Sequence, residues 1–247
     1  MFDKFKAGIK KIIGKDVKYK IQKTSSELKK LGSQYGGWIV PIDFFNENSI
    51  CYLAGAGEDI SFDIAMVNRF KCHAYIFDPT PKSKSHFKKV IDAARVGKPL
   101  SFNNNEWYDL NADVLNYLHF FETGLWDKKE KVRFFAPKDD SHVSHSISNL
   151  QQTEKYFEAQ VDRLSSIMKA NNHSSISLLK IDIEGAEYSV IDTLIEDRLD
   201  IKLLCVEFHQ KMQNSFNEIQ KALDKLEKAG YRVIAREDLD FTFMKCK

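Results

Sequence analysis

The 247-residue chain lacks the features that mark several protein classes. No uninterrupted apolar run approaches the ~20 residues of a membrane span. The first residues carry a lysine every few positions where a signal peptide needs an apolar stretch, which predicts a protein not exported by that route. Only four cysteines occur (Cys51, Cys72, Cys205 and Cys246), far apart and three of them inside apolar runs. This spacing suits neither a disulfide framework nor a zinc site, and predicts buried free thiols in a reducing cytoplasm. With 5 Pro and 11 Gly the chain is neither collagen-like nor low-complexity, and its 43% hydrophobic content excludes disorder.

An excess of one charge is also lacking, since the net charge is +2. The balance is uneven, however. Residues 1–23 hold eight lysines against Asp3 and Asp16, a local +6, so the remaining 224 residues carry −4. A slightly acidic body argues against a nucleic-acid partner. Phe2, Phe5, Ile9, Ile12 and Ile13 share one helical face, with lysines on the other. Residues 1–35 therefore read as a basic amphipathic segment, and residues 36–247 as the folded domain. Such a helix can lie on an anionic membrane, which allows a cytoplasmic protein peripheral to the inner face of the membrane. It can equally pack on its own domain.

What is present is an alternation of short β-like runs and amphipathic helices, the pattern of a parallel sheet covered by helices. Strands are expected at 49–54, 74–77, 117–121, 132–135, 178–183 and 201–208, with a closing hairpin from Tyr231–Ala235 and Phe241–Met244. Thr80-Pro81 reads as an N-cap and N1 pair opening a helix that stops near Gly97. Ser215 and Glu218 fit a capping box. Residues 98–116 read as irregular, and the segment around 156–161 is ambiguous.

The first strand ends in Gly55-x-Gly57 and runs into a helix. Glycines there let a ligand approach the backbone, and the helix N-terminus offers free N–H donors. Asp78 ends the next strand, 23 residues after Gly55, where a carboxylate can accept bonds from both ribose hydroxyls. NAD fits poorly. Its third glycine position holds Ile60, and Glu58-Asp59 would repel a pyrophosphate. S-adenosylmethionine, with a sulfonium and an ammonium group and no phosphate, suits those carboxylates better.

Four strings, Ala54-Gly55-Ala56-Gly57-Glu58-Asp59-Ile60-Ser61-Phe62-Asp63, Phe77-Asp78-Pro79-Thr80-Pro81, Leu179-Lys180-Ile181-Asp182-Ile183-Glu184-Gly185-Ala186-Glu187 and Val206-Glu207-Phe208-His209, together resemble the FkbM family of methyltransferases over residues 36–245. The resemblance implies an α/β fold, the Rossmann-like class I methyltransferase fold, with a seven-stranded mostly parallel sheet and a C-terminal antiparallel hairpin. It implies S-adenosylmethionine as cofactor and transfer to a hydroxyl oxygen of a sugar, glycan or similar small molecule. Carried onto this chain, Gly55, Ala56, Gly57 and Glu58, with Asp59 beside them, line the methionine moiety. Asp78 and Thr80 hold the ribose, and Thr123, Gly124 and Leu125 face the adenine.

Asp182 closes one strand and Glu207-x-His209 another, and these strands are expected to be neighbours beside the cofactor loop. Residues i and i+2 face the same side of a strand, so Glu207 and His209 can aim at one spot. His is the side chain whose ordinary pKa lies nearest working pH, so His209 is read as general base, with Asp182 and Glu207 orienting it or the acceptor. No metal is expected, although two carboxylates and an imidazole also suit Mn²⁺ or Mg²⁺. Glu184 and Glu187 read as carboxylates meeting a helix dipole. The loop His142-Val143-Ser144-His145-Ser146 either contacts the acceptor or is merely solvated. Trp107, Tyr108 and Trp126 read as packing residues, with sugar stacking as the alternative.

Overall fold

A computed structural model describes residues 17–102, 106–135, 156–209 and 215–246. In chain order its strands and helices are β1 (Leu28–Leu31), β2 (Trp38–Pro41), β3 (Ile50–Ala54), α1 (Ser61–Phe70), β4 (His73–Phe77), α2 (Pro81–Arg95), β5 (Ser101–Phe102), β6 (Glu106–Trp107), β7 (Leu118–Phe121), β8 (Gly124–Trp126), β9 (Glu130–Phe135), β10 (Tyr156–Arg163), α3 (Leu164–Ala170), β11 (Ser175–Ile181), α4 (Glu187–Glu196), β12 (Asp200–Glu207), α5 (Ser215–Lys228), β13 (Tyr231–Glu237) and β14 (Asp240–Lys245).

Seven strands form the main sheet in the order β13-β14-β12-β11-β3-β4-β7. The five from β12 to β7 run parallel, and β14 pairs antiparallel with both β12 and β13. The near-continuous apolar runs of β3, β11 and β12 follow from cover on both faces. Tyr52, Leu179, Ile181, Leu204 and Val206 pack under α3, α4 and α5 on one side. Cys51, Leu53, Leu178, Leu203 and Cys205 meet Phe62, Met66 and Val67 of α1 on the other. Full burial of side chains of this size contributes ~1.5–3 kcal/mol each. All four cysteines are free; three are buried and Cys246 is exposed.

Local signals behave as their chemistry requires. The Thr80 side chain accepts from the Ser83 backbone N–H at 3.3 Å, Pro81 takes the first helical position, and Gly97 adopts φ +63° just past the end of α2. Helix α5 spans Ser215–Lys228, and the capping-box side chain of Ser215 lies outside the described residues.

Four features differ from the expectation. The strand expected at 132–135 exists as β9, but it joins a separate three-stranded sheet of order β8-β10-β9. The ambiguous segment at 156–161 is β10, antiparallel to β9 and parallel to β8. Arg163 ties this sheet to the end of α4 through a two-pronged contact with Asp197 at 2.7 Å on each oxygen. Residues 98–116 contain the short β5–β6 hairpin and a 3-10 turn over Ala112–Tyr117. Finally, β1 and β2 pair antiparallel across the expected boundary at residues 35 and 36. Upstream, the N–H groups of Lys18 and Gln22 bond to Gln220 and Val233, so this stretch lies on the domain. Short strands of two to four residues carry too little periodicity to be read from sequence.

Candidate functional site

A cavity opens at the C-terminal ends of β3, β4, β11 and β12, where the strand order reverses on either side of β3, the usual ligand position in such sheets. Gly55 turns the chain out of β3 at φ +84°, and a Cβ there would sit 1.6 Å from the Asp182 carbonyl oxygen. Only glycine permits this approach of two loops. The crossing is held by the Gly55 N–H donating to the Phe77 carbonyl (3.0 Å) and the Asp182 N–H donating to the Ala54 carbonyl (3.1 Å).

Asp78 is buried beneath this loop. Its Oδ2 accepts from the N–H groups of Ala56 (3.0 Å) and Gly57 (2.9 Å). Its Oδ1 accepts from the Thr80 N–H (2.8 Å) and hydroxyl (2.6 Å). The carboxylate read as a ribose partner therefore directs its four acceptor positions at its own chain, and it shapes the glycine loop. Asp59 is similarly engaged, accepting from the Ser33 hydroxyl (2.7 Å) and the Ser61 N–H (2.9 Å). Glu58 is exposed on the cavity wall. Gly124 and Leu125 line the cavity from β8, and Thr123 is not among the lining residues.

Opposite the loop stand Asp182, Glu184, Glu207 and His209. The His209 Nδ1 contacts Glu187 Oε1 at 2.8 Å. Its Nε2 lies 3.5 Å from Glu184 Oε2 and 3.9 Å from both Asp182 Oδ1 and Glu207 Oε1. The three expected catalytic groups are thus brought together. The carboxylate in hydrogen-bond contact with the imidazole, however, is Glu187, not Asp182 or Glu207. Glu187 is fully buried and does more than meet a helix dipole. Desolvation opposes charge on His209, yet the Glu187 hydrogen bond and the charges of Glu187, Glu184 and Glu207 outweigh it and hold its pKa well above the ordinary imidazole value. Desolvation and the neighbouring Asp182 and Asp240 push Glu207 well above the usual carboxylate range, with His209 opposing.

Several residues here escaped the sequence reading. Lys180, buried, donates to the Gly55 carbonyl at 2.5 Å and stands 3.4 Å from Asp182 Oδ2, linking the two walls. Desolvation lowers its pKa, but Asp182, Asp63 and Glu207 together raise it further. Tyr35, Gly36, Gly37 and Trp38 form part of the wall, as do Phe134 and Asp240. A glycine pair flanked by aromatics was the available signal for the first four. A Cβ on Gly36 would meet Asp59 Oδ2 at 2.8 Å.

Trp107, Tyr108 and Trp126 are absent from the cavity lining. Tyr108 accepts from the Ile60 N–H at 3.1 Å and stacks on Phe102 at 3.9 Å, a packing role; Trp107 is exposed. The His142–Ser146 loop and residues 1–16 lie outside the described residues. Among the described residues, no helix is long and apolar enough to cross a membrane.

A parallel-centred seven-strand sheet with a glycine loop, a strand-end acid and a carboxylate–imidazole cluster at its switch point defines an α/β domain of the methyltransferase type. The family model for the methyltransferase FkbM domain matches residues 54–233. The chain belongs to the FkbM methyltransferase family. No curated protein matches the chain. Among solved structures it is similar to methyltransferase FkbM from Methylobacillus flagellatus KT, at 12% identity and a TM-score of 0.50 over 81% of this chain. It spans 44% of that protein's length. A fibrillarin pre-rRNA processing protein from Methanococcus jannaschii aligns at 12% identity and TM-score 0.44, over 95% of this chain and 86% of that one. An rRNA methylase from Streptococcus thermophilus aligns at 9% identity and TM-score 0.43, over 83% and 92%.

Proposed function

We propose that this chain is an S-adenosylmethionine-dependent O-methyltransferase acting on a hydroxyl of a sugar or glycan. The observation that carries this reading is the charge of the cavity. Glu58, Asp59, Asp78, Asp182, Glu184, Glu207 and Asp240 line it, against Lys180 and His209 as cationic groups. A wall of carboxylates accommodates a sulfonium and an ammonium and repels a pyrophosphate. A Cβ on Gly57 would meet nothing within 4 Å, so the loop backbone there stands open to such a ligand. Gly55, Ala56, Gly57 and Glu58 would hold the methionine part and Gly124 and Leu125 the adenine, while Asp78 and Thr80 would serve the ribose side through the shape they give the loop.

The residues opposite handle the acceptor. Held by the loop residues, the cofactor would supply its methyl for an in-line displacement, with S-adenosylhomocysteine as the leaving group. Much of the acceleration therefore comes from alignment. The acceptor hydroxyl must lose its proton as the new bond forms, and Nε2 of His209, facing the cavity among three carboxylates, is placed to take it once the ring is neutral. Asp182 and Glu207 orient the acceptor by accepting from its other hydroxyls.

Incubation with S-adenosylmethionine and a panel of sugars and glycolipids, read by mass spectrometry, tests the proposal. The expected result is one added methyl on a carbohydrate with release of S-adenosylhomocysteine. Methylation only of a non-sugar small molecule or a lipid head group would move the acceptor class. Cofactor binding without any turnover would make the chain a binding module. One observation favours a second reading: Asp182, Glu207 and His209 offer ligand atoms all within 4.8 Å of one another, a donor set for one Mn²⁺ or Mg²⁺. Activity abolished by EDTA and restored by Mn²⁺ or Mg²⁺ would select it.

A further inference from the structure

The turn Glu184-Gly185-Ala186-Glu187 between β11 and α4 wraps around one imidazole. Glu184 and Gly185 both take left-handed backbone conformations, at φ +53° and +95°. For glutamate this is uncommon and strained. The result is that two carboxylates three residues apart address opposite nitrogens of His209, Glu187 at Nδ1 (2.8 Å) and Glu184 near Nε2 (3.5 Å). Glu187 is not free to swing. It is fully buried, and the same Oε1 that meets His209 also accepts from the N–H groups of Ile183 (3.1 Å) and Gly185 (3.0 Å). The next residue clamps the backbone: the Tyr188 hydroxyl donates to the His209 carbonyl at 3.1 Å. One turn of α4 thus fixes both ring and main chain of His209.

A carboxylate oxygen accepts and a backbone N–H donates, so the Nδ1 in this contact carries a proton. A neutral imidazole in water favours the opposite tautomer, with its proton on Nε2. We infer that Glu187 is a positioning residue of the transfer site, holding neutral His209 as the Nδ1–H tautomer so that the Nε2 lone pair faces the cavity. The inference rests on the reading of His209 as the group that takes the acceptor proton, and its structural half is measurable without any acceptor. The arrangement parallels a carboxylate fixing a catalytic histidine, reached here from a buried helix N-terminus. It assigns to Glu187 the orienting role that the sequence placed on Glu207 and Asp182.

The test is ¹⁵N–¹H correlation spectroscopy of the full chain labelled at histidine, with the His209 signals identified by their loss in His209→Gln. The pH is raised until the ring is neutral. Wild type should show the proton on Nδ1. Glu187→Gln, of nearly equal shape, and Glu187→Met, without an acceptor, should shift the proton toward Nε2. They should lower kcat by ~10²–10⁴-fold while leaving S-adenosylmethionine affinity within about threefold of wild type. A wild-type ring protonated on Nε2 overturns the inference, and that reading needs no variant to fold. So does an unchanged tautomer in both variants, with kcat, cofactor affinity and thermal stability falling together, since that is the signature of a structural role alone. A wild-type protein that shows the Nδ1–H tautomer yet methylates nothing would instead strike the proposed function, leaving the geometry in place.

Discussion

On the glycine-loop side of the cavity, Asp78 accepts four hydrogen bonds from Ala56, Gly57 and Thr80 at 2.6–3.0 Å. On the facing side, Asp182, Glu184 and Glu207 gather around His209 Nε2 at 3.5–3.9 Å, beyond direct hydrogen-bond contact. The first side is closed by its own backbone and presents a finished shape. The second concentrates like charge around one imidazole and presents acceptors and a proton site to an incoming group. Lys180 touches both, at Gly55 and at Asp182, so a buried cation offsets the charge where the walls meet. A rigid cradle beside a cluster of charge is the division of labour expected where one substrate is held and the other is activated.

If that division is right, substitutions on the two sides separate in their effects. The largest is expected at His209. His209→Ala should lower kcat by ~10²–10⁴-fold with cofactor affinity, measured by calorimetry, nearly unchanged. In wild type the raised His209 pKa fixes the sign of the pH profile. The ring is protonated, and useless as a base, until pH climbs well past the ordinary imidazole value, so kcat should rise from neutral into alkaline pH. A kcat flat across pH 6–9, or His209→Ala with near-normal turnover, would place the base elsewhere.

Next comes Gly55→Ala. The new Cβ meets the Asp182 carbonyl at 1.6 Å in a left-handed backbone conformation, so both sides must move at once. A loss of ~2–6 kcal/mol in denaturant unfolding is expected, from backbone strain and overpacking together. It should be accompanied by loss of cofactor binding. Normal stability would show that the two loops are less interlocked than their contact implies.

The smallest is Asp78→Ala, expected to weaken S-adenosylmethionine binding by ~1–3 kcal/mol by releasing the loop N–H groups and Thr80 that its carboxylate holds. Because Asp78 holds the loop N–H groups, part of this loss acts through loop shape. Asp78→Asn should therefore recover only a fraction, since an amide oxygen can accept from one side while its NH₂ faces donors on the other. Full recovery would assign Asp78 to the ligand alone.

Much of this molecule was legible from sequence. The apolar runs at 178–181 and 201–206, the glycines at 55 and 57 and the acids Asp78 and Asp182 declared a parallel sheet with a ligand loop, because burial on both faces and positive φ restrict residue type directly. The small sheet of β8, β9 and β10 is not legible as a unit. A strand such as Glu130–Phe135 records in its alternation that one face is covered, but not by which partner. Glu187 does stand in the first turn of α4, as its sequence position implies, but its second role is hidden for a related reason. Its position at a helix start is local information, and its contact with His209 joins residues 22 apart that meet only when β11 and β12 pair in register. Local steric and hydrophobic constraints thus let the sequence alone determine the fold class, a glycine loop at the switch point and the set of candidate side chains. Which carboxylate touches the imidazole, which nitrogen faces the cavity, and that Asp78 serves its own loop were decided by tertiary structure, because hydrogen bonds depend on distances that the sequence order does not contain.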